Sequence, residues 1–267
     1  MPPALTAKPA STTPFRAARA LAWAAPLLVA LAGAAAAQEK ERVDLELVLL
    51  ADASGSIDPT EAAMQRQGYA DAMVHPEVLW AISNGGALGR IAVTFVEWAG
   101  AASQDVVVDW MVIDGEASAR DFGARLMAAP RRAYGSNAIG SALLEGARLI
   151  ESNAYEGGRK VIDLSGDSGW NPQGPPIATA RDAVLGAEIV INGLAILCDD
   201  CSGRPRAENL EQIFQNELIG GPGAFVVTAD DRDAFALAVR RKLILEISAL
   251  DPAILAAPPD PYRVLTE

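Results

Sequence analysis

The chain has 267 residues, enough for one α/β domain with a sizeable core, and carries 22 Lys and Arg against 34 Asp and Glu, a formal charge of −12. That balance opposes nucleic-acid binding, which rewards basic surfaces, and suits a soluble exported protein or a cation-binding one. Beyond the N-terminal segment, no stretch is apolar and long enough to span a bilayer.

Residues 1–37 read as a targeting segment. Arg16 and Arg19 supply a positive region, Leu21 to Leu31 is apolar, and Ala34 to Ala37 offers small residues for cleavage near Ala37–Gln38. The alternative is a retained membrane anchor, for which the apolar run is barely long enough. Cleavage removes Lys8, Arg16 and Arg19 and no acid, taking the formal charge from −12 to −15. The expected product is periplasmic or secreted, with no membrane span after signal cleavage.

The first strand is read at 43–51. Leu45, Leu47, Val48, Leu49 and Leu50 form the continuous apolar run of a strand covered on both faces. It leads into Asp52, Ser54 and Ser56 at i, i+2 and i+4, with Gly55 between the serines. A carboxylate and two hydroxyls on alternate residues suit a tight loop around a hard divalent cation such as Mg²⁺. The alternative is a plain capped loop with Asp52 solvated. Asp58, Pro59 and Glu61 then form a strong helix start. That helix runs to Met73, with Ala63, Tyr69, Ala70 and Met73 inward and Arg66 and Asp71 facing water. His75, the only histidine, precedes Pro76 and a short helix to about Ile82, and reads as structural or exposed.

Asn84-Gly85-Gly86 is a turn. Strands at 90–98 and 106–112, joined by a short polar link, read as an edge hairpin in which Glu97 and Asp109 are polar intruders. Ser118 is expected to cap a helix to Ala129. After Pro130-Arg131-Arg132, the loop Tyr134-Gly135-Ser136-Asn137 opens a helix at 138–152 that buries Ile139, Ala142, Leu143, Ala147 and Ile150. Gly157-Gly158 is expected to turn the chain into a fourth strand, 160–164. Ser165 to Gly169 follows as a second acidic hotspot centred on Asp167. Asp163 should lie lower on the same strand and, if buried, needs a partner. A proline-rich loop at 171–176, a helix at 176–185, a strand at 188–197, a helix at 207–218, a glycine turn at 220–223 and a strand at 224–228 follow. A long helix at 230–250 closes the pattern, with Asp230 as its cap and Arg240, Arg241 and Lys242 well down it, where the helix dipole favours them. A proline-rich tail occupies 251–267.

This alternation predicts an α/β fold: a doubly wound, mostly parallel central sheet with helices on both faces and one antiparallel edge strand, forming a single domain over 38–250. No strand–helix turn carries a GxGxxG or GxxxxGK pattern, so nucleotide binding has no support. Cys198 and Cys201 stand in CDDC. In an oxidising compartment they suit a short disulfide; free thiols are the alternative, and zinc would need two more good ligands.

Asp52-x-Ser54-x-Ser56, a Gly-Ser-Asn loop opening a helix, and Asp167 ending a later strand together resemble the von Willebrand factor type A domain. The nearer resemblance is to a bacterial exported family of such domains, the family of unknown function DUF1194. It is carried by FVEWAG (Phe95 to Gly100), VIDLSGDSGWN (Val161 to Asn171), INGLAIL (Ile191 to Leu197) and IGGPGAFVV (Ile219 to Val227), and covers about Val43 to Ser248. The resemblance implies a metal-ion-dependent adhesion site holding Mg²⁺ (or Mn²⁺). Its first motif falls on Asp52, Ser54 and Ser56, and its third-loop aspartate on Asp167. Its second-loop threonine falls on Asn137, with Ser136 beside it, a departure that bears on affinity and metal choice. In such domains a partner protein's Asp or Glu fills an open coordination position, and Trp170 and Asn171 are the expected partner contacts.

Two rival readings remain. One is a structural cell-envelope domain whose metal site is degenerate at Asn137. The other is a hydrolase: Gly166-Asp167-Ser168 superficially resembles the start of GDS-type serine esterases. Such an enzyme needs a positioned histidine base, and the sole histidine is early in the chain. The expectation is therefore a protein-binding domain and not an enzyme.

Overall fold

The computed structural model describes residues 39–197 and 209–248. The targeting segment, the CDDC cysteines Cys198 and Cys201, and the tail at 251–267 lie outside the described residues. Six strands form one sheet in the order β3-β2-β1-β4-β5-β6. They are β1 (Glu41–Asp52), β2 (Ile91–Trp98), β3 (Gln104–Ile113), β4 (Tyr155–Gly166), β5 (Val190–Ile196) and β6 (Val226–Ala229). All neighbours pair in parallel except β2 with β3, which form the antiparallel edge. The doubly wound α/β expectation therefore holds, including its antiparallel edge strand.

Period-two alternation in β1 splits the core into two layers. Leu45, Leu47 and Leu49 face one layer, with α1 (Pro59–Met73), α2 (Pro76–Asn84), α3 (Glu116–Ala128) and α7 (Arg232–Ser248). Val48 and Leu50 face the other, with α4 (Ile139–Ser152), α5 (Ile177–Gly186) and α6 (Leu210–Ile213, continued by a π-helical turn at Phe214–Leu218). The five inward positions expected on α4 are all buried.

The structure corrects several local expectations. Gly157-Gly158 lies inside β4 rather than at a turn before it. A Cβ at Gly157 would stand 2.8 Å from both Arg159 O and Glu46 Cγ, so the glycine lets two strands approach. Ser118 is not the cap of α3. It sits in the first turn, where its hydroxyl bonds back to Asp114 Oδ1 at 2.7 Å. The cap of α7 is Asp231, whose Oδ1 accepts from Ala234 N at 2.7 Å, and not Asp230. On α1, Ala63 is exposed while Arg66 is buried, because Arg66 Nε pairs with the buried Glu97 at 2.7 Å. Lys242 is 1 % exposed and bonds Asp163 Oδ1 at 2.6 Å and Glu246 Oε1 at 2.5 Å. This lysine is the partner that buried Asp163 required.

Candidate metal centre

Chain order reverses across β1: β2 and β3 lie on one side of it, β4 and β5 on the other. Open α/β sheets place their sites in the crevice at such a switch point, beyond the strands' carboxyl ends. β1 ends at Asp52, and β4 ends at Gly166, one residue before Asp167. The topology thus brings together two acids that are far apart in sequence.

Asp52 and Ser54 are 2 % and 0 % exposed, and Asn137 and Asp167 are 7 % and 6 % exposed. Ser54 N donates to Asp52 Oδ1 at 2.8 Å, which curls the loop back on its own strand. Ser54 Oγ and Ser56 Oγ are 3.1 Å apart, and Ser56 Oγ donates to Asp167 Oδ1 at 3.3 Å. Asp52, Ser54, Ser56 and Asp167 therefore form one connected cluster. Asp58 caps the helix behind it, accepting from Thr60 N and Glu61 N, so the serines are not consumed as helix caps.

Ser136 and Asn137 enter through the backbone. Gly55 N donates to Gly135 O at 2.9 Å, tying their loop to the one bearing the serines. Gly135 has φ +116°, a conformation that favours glycine, and a Cβ there would stand 3.0 Å from Gly100 Cα. Ser136 is half-buried, while the buried Asn137 begins the approach to α4. The structure brings these two to the same loop cluster without a side-chain bond to the four acids and serines.

The floor is built from residues that are not among the expected ligands. Trp98, wholly buried, pairs with Asp52 across β1 and β2 and donates its indole N–H to Ser165 O at 3.2 Å. A Cβ at Gly166 would stand 3.3 Å from the Trp98 ring and 3.5 Å from Asp52 Oδ2, so the site needs the close passage of glycine there. Arg131 also escaped the motif. Its guanidinium bonds three carbonyls of the loop after β1, and nothing in the sequence separates it from its neighbour Arg132.

Electrostatically the cluster is unbalanced. The Asp52 carboxyl is pushed up to about 7, first by burial and then by the neighbouring charge of Asp167, against smaller opposing hydrogen bonds from Ser54 and the Asp167 main chain. Its Oδ2 is buried with no hydrogen-bond partner. A buried lone pair on an acid beside a second acid is where a proton or a metal ion belongs. The oxygen-only donors, two of them carboxylates, fit a hard divalent cation. Among the described residues no three or more His, Cys, Asp or Glu side chains gather to hold a metal. Two carboxylates with hydroxyls and an amide are the set these loops offer.

Trp170 stands 68 % exposed three residues beyond Asp167, and Tyr134 stands 75 % exposed three residues before Asn137. The Trp170 loop is braced. Trp170 N donates to Ser168 Oγ at 3.0 Å, Gly140 N donates to Asn171 Oδ1 at 3.3 Å, and Asn171 Nδ2 donates to Pro175 O at 2.9 Å. A separate cavity of about 780 Å³ lies towards the opposite end of the sheet, lined in part by Arg159, Asn192, Phe225 and Glu246. It shares no residue with the cluster.

The fold is of the von Willebrand factor type A-like α/β kind. A family model described as "Protein of unknown function (DUF1194)" matches residues 42–251, and the chain belongs to that family. No curated protein matches it. Among solved structures, the pilus adhesin SpaC from Lactobacillus rhamnosus GG is similar at 14 % identity and TM-score 0.54, over 78 % of this chain and 31 % of that one. Proximal thread matrix protein 1 from the mussel byssus, with a zinc-occupied MIDAS motif, is similar at 17 % identity and TM-score 0.53, over 77 % and 46 %. A mutant of the PilB minor pilin from Streptococcus sanguinis gives 14 % and 0.52, over 81 % and 64 %. This chain thus spans less than two thirds of each, and at these identities the likeness is one of fold.

Proposed function

We propose that this protein is a metal-dependent protein-binding domain of the exported type. Asp52, Ser54, Ser56 and Asp167 hold a Mg²⁺ or Mn²⁺ ion, with Asn137 or Ser136 supplying an oxygen from the second loop. The observation that carries this reading is the buried, unpartnered Oδ2 of Asp52 beside the Ser56–Asp167 hydrogen bond. When bound, the cation would supply an open coordination position for an Asp or Glu of a partner protein. With only two carboxylates among its ligands it would remain electron-poor enough to take a third. The zinc-occupied MIDAS motif of the mussel protein, which shares the fold, supports a divalent ion as the ligand, and Zn²⁺ is a competitor to be tested. Trp170 projects from the braced rim as the candidate aromatic anchor, and Asn171 serves that contact surface by fixing the loop.

A binding role is favoured over hydrolysis by the surroundings of Ser168 and His75. Ser168 Oγ accepts from Trp170 N, while His75 caps α2 and its Nε2 lies 2.7 Å from Arg240. Both histidine nitrogens are thereby engaged far from the serine in the fold. We place the protein in the periplasm or outside the cell, on the targeting segment read at residues 1–37; among the described residues no helix is long and apolar enough to cross a membrane.

The test is calorimetric titration of Mg²⁺, Mn²⁺ and Zn²⁺ into chelator-treated protein, beside Asp52→Asn. Saturable one-site binding that is lost in the folded variant supports the reading. Equal binding by the variant, or none by folded wild type up to several millimolar with a carboxylate such as acetate added, overturns it.

A further inference from the structure

A loop that turns its side chains towards one centre turns carbonyl groups away from it, and those carbonyls need donors. In the loop after β1, Ser54 and Ser56 point their hydroxyls at each other and on to Asp167. The carbonyls of Ala53, Ser54 and Ile57 converge instead on a single guanidinium nitrogen, Nη2 of Arg131, at 2.8, 3.4 and 2.9 Å. Arg131 lies in the loop between α3 and α4 that continues to Ser136 and Asn137. Four residues on, Gly135 O takes the N–H of Gly55 at 2.9 Å. The second loop therefore grips the first at two points, by a charged donor and by a backbone acceptor, and every residue in the grip lies within two positions of a candidate ligand or on the segment leading to one.

We propose that Arg131 is the positioning residue of the metal centre: it fixes the Ser54 and Ser56 hydroxyls in register with Asp52 and Asp167, and locks the Asn137 loop to theirs. This deepens the proposed function and rests on it. Arginine suits the task because its guanidinium is rigid, planar and always charged, so the one nitrogen that meets the three carbonyls is held in a fixed direction, whereas a lysine ammonium is a strongly hydrated point charge on a flexible stem. The guanidinium also brings a positive charge to the edge of a cation site. Its two effects oppose each other: positioning strengthens metal binding and charge repulsion weakens it.

The variants Arg131→Lys and Arg131→Gln separate them. Lysine keeps the charge and loses the rigid planar group; glutamine loses both. Each would be checked for folding by circular dichroism with EDTA present, and either that folds carries the test. Three readouts apply: the Mn²⁺ dissociation constant by calorimetry, the number of waters on bound Mn²⁺ by proton relaxation, and hydrogen exchange of residues 53–57 in metal-free protein. Removing a group that orients metal ligands weakens binding roughly 10- to 100-fold. Arg131→Lys is expected to weaken Mn²⁺ at least about ten-fold, to add water to the bound ion as a serine hydroxyl is lost, and to speed exchange in 53–57. Arg131→Gln is expected to show the same exchange and hydration changes with a smaller loss of affinity. Unchanged affinity, hydration and exchange in Arg131→Lys, with tighter binding in Arg131→Gln, would show that Arg131 acts by charge alone and overturn the proposal. If wild-type protein binds no Mn²⁺, the metal reading itself fails, while the exchange data still decide whether Arg131 holds the loop.

Discussion

Ser56 Oγ donates to Asp167 Oδ1 at 3.3 Å although the two residues are 111 apart in sequence. The contact exists because β1 and β4 are neighbours in the sheet and both end at the same rim. It makes the two loops interdependent. Ser56→Ala removes one oxygen donor and the strut that orients Asp167, and Asp167→Asn removes a charge. In titrations of Mg²⁺, Ser56→Ala is expected to weaken binding roughly 10-fold and Asp167→Asn roughly 100-fold or more, in line with the loss of an orienting group and of a ligand charge. Thermal unfolding with EDTA should change little for Ser56→Ala, since its hydroxyl is only part-buried.

The pH dependence follows from Asp52. Its folded-state value of about 7 lies above the ordinary 3.8, so the folded chain holds this proton more tightly than the unfolded chain does. The metal-free protein should therefore gain stability as pH falls from about 7 towards 3.8, and should carry the full cost of the buried charge above pH 7. Glu246, pushed up to about 7 by burial and by the charge of Asp163, acts in the same direction. Urea unfolding with EDTA at about pH 5 and about pH 8 should show higher stability at the lower value, and Asp52→Asn should remove on the order of half of that difference. Metal binding should run the other way, weakening as pH falls through 7 because a proton competes for Oδ2. An unchanged difference in Asp52→Asn would mean that the carboxyl titrates normally.

The alternation of apolar runs and helix starts was enough to read the doubly wound sheet, since each strand of β1 type announces itself by composition alone. Asp52, Ser54, Ser56 and Asp167 were legible for a related reason: their spacing places them at strand ends, and topology does the rest. What escaped was tertiary. Arg66 reads as a solvent-facing helix residue until Glu97 is found behind it, and Lys242 reads as a dipole-complementing cation until Asp163 and Glu246 surround it. The one partner is distant in sequence in the first case, and in the second only the i+4 glutamate is near. Arg131 escaped because its acceptors are main-chain carbonyls, which have no residue signature.

Lys242 gives the sharpest stability test. It is the cation between two buried acids, and Asn192 Nδ2 adds a 3.0 Å bond to Glu246 Oε1. Lys242→Met fills similar volume but leaves Asp163 and Glu246 without their counter-ion. Breaking a buried pair from one side costs ~3–5 kcal/mol, a large part of the ~5–15 kcal/mol of an ordinary domain. Urea unfolding should show that loss at about pH 8 and a smaller one at about pH 5, where both acids take up protons more readily. Equal losses at the two values would point to packing rather than charge.

Arg66 and Glu97 make the complementary case, because that pair also supports a loop. Besides its 2.7 Å bond to Glu97, Arg66 donates to Leu126 O at 3.4 Å, to Ala129 O, and to Pro130 O at 3.5 Å, holding the end of α3 from which the Arg131 loop departs. Arg66→Met should cost ~3–5 kcal/mol, since Glu97 is then buried without its cation. The double variant Arg66→Met/Glu97→Leu should recover much of that loss, as apolar replacement of a whole buried pair is often neutral. The carbonyls at the end of α3 would remain without their donor in both variants. Hydrogen exchange of residues 129–135 should therefore stay elevated in the double variant even as global stability returns. If exchange there returned to the wild-type level with stability, Arg66 would serve only to neutralise Glu97, and the loop would owe its position to Arg131 and Gly135 alone.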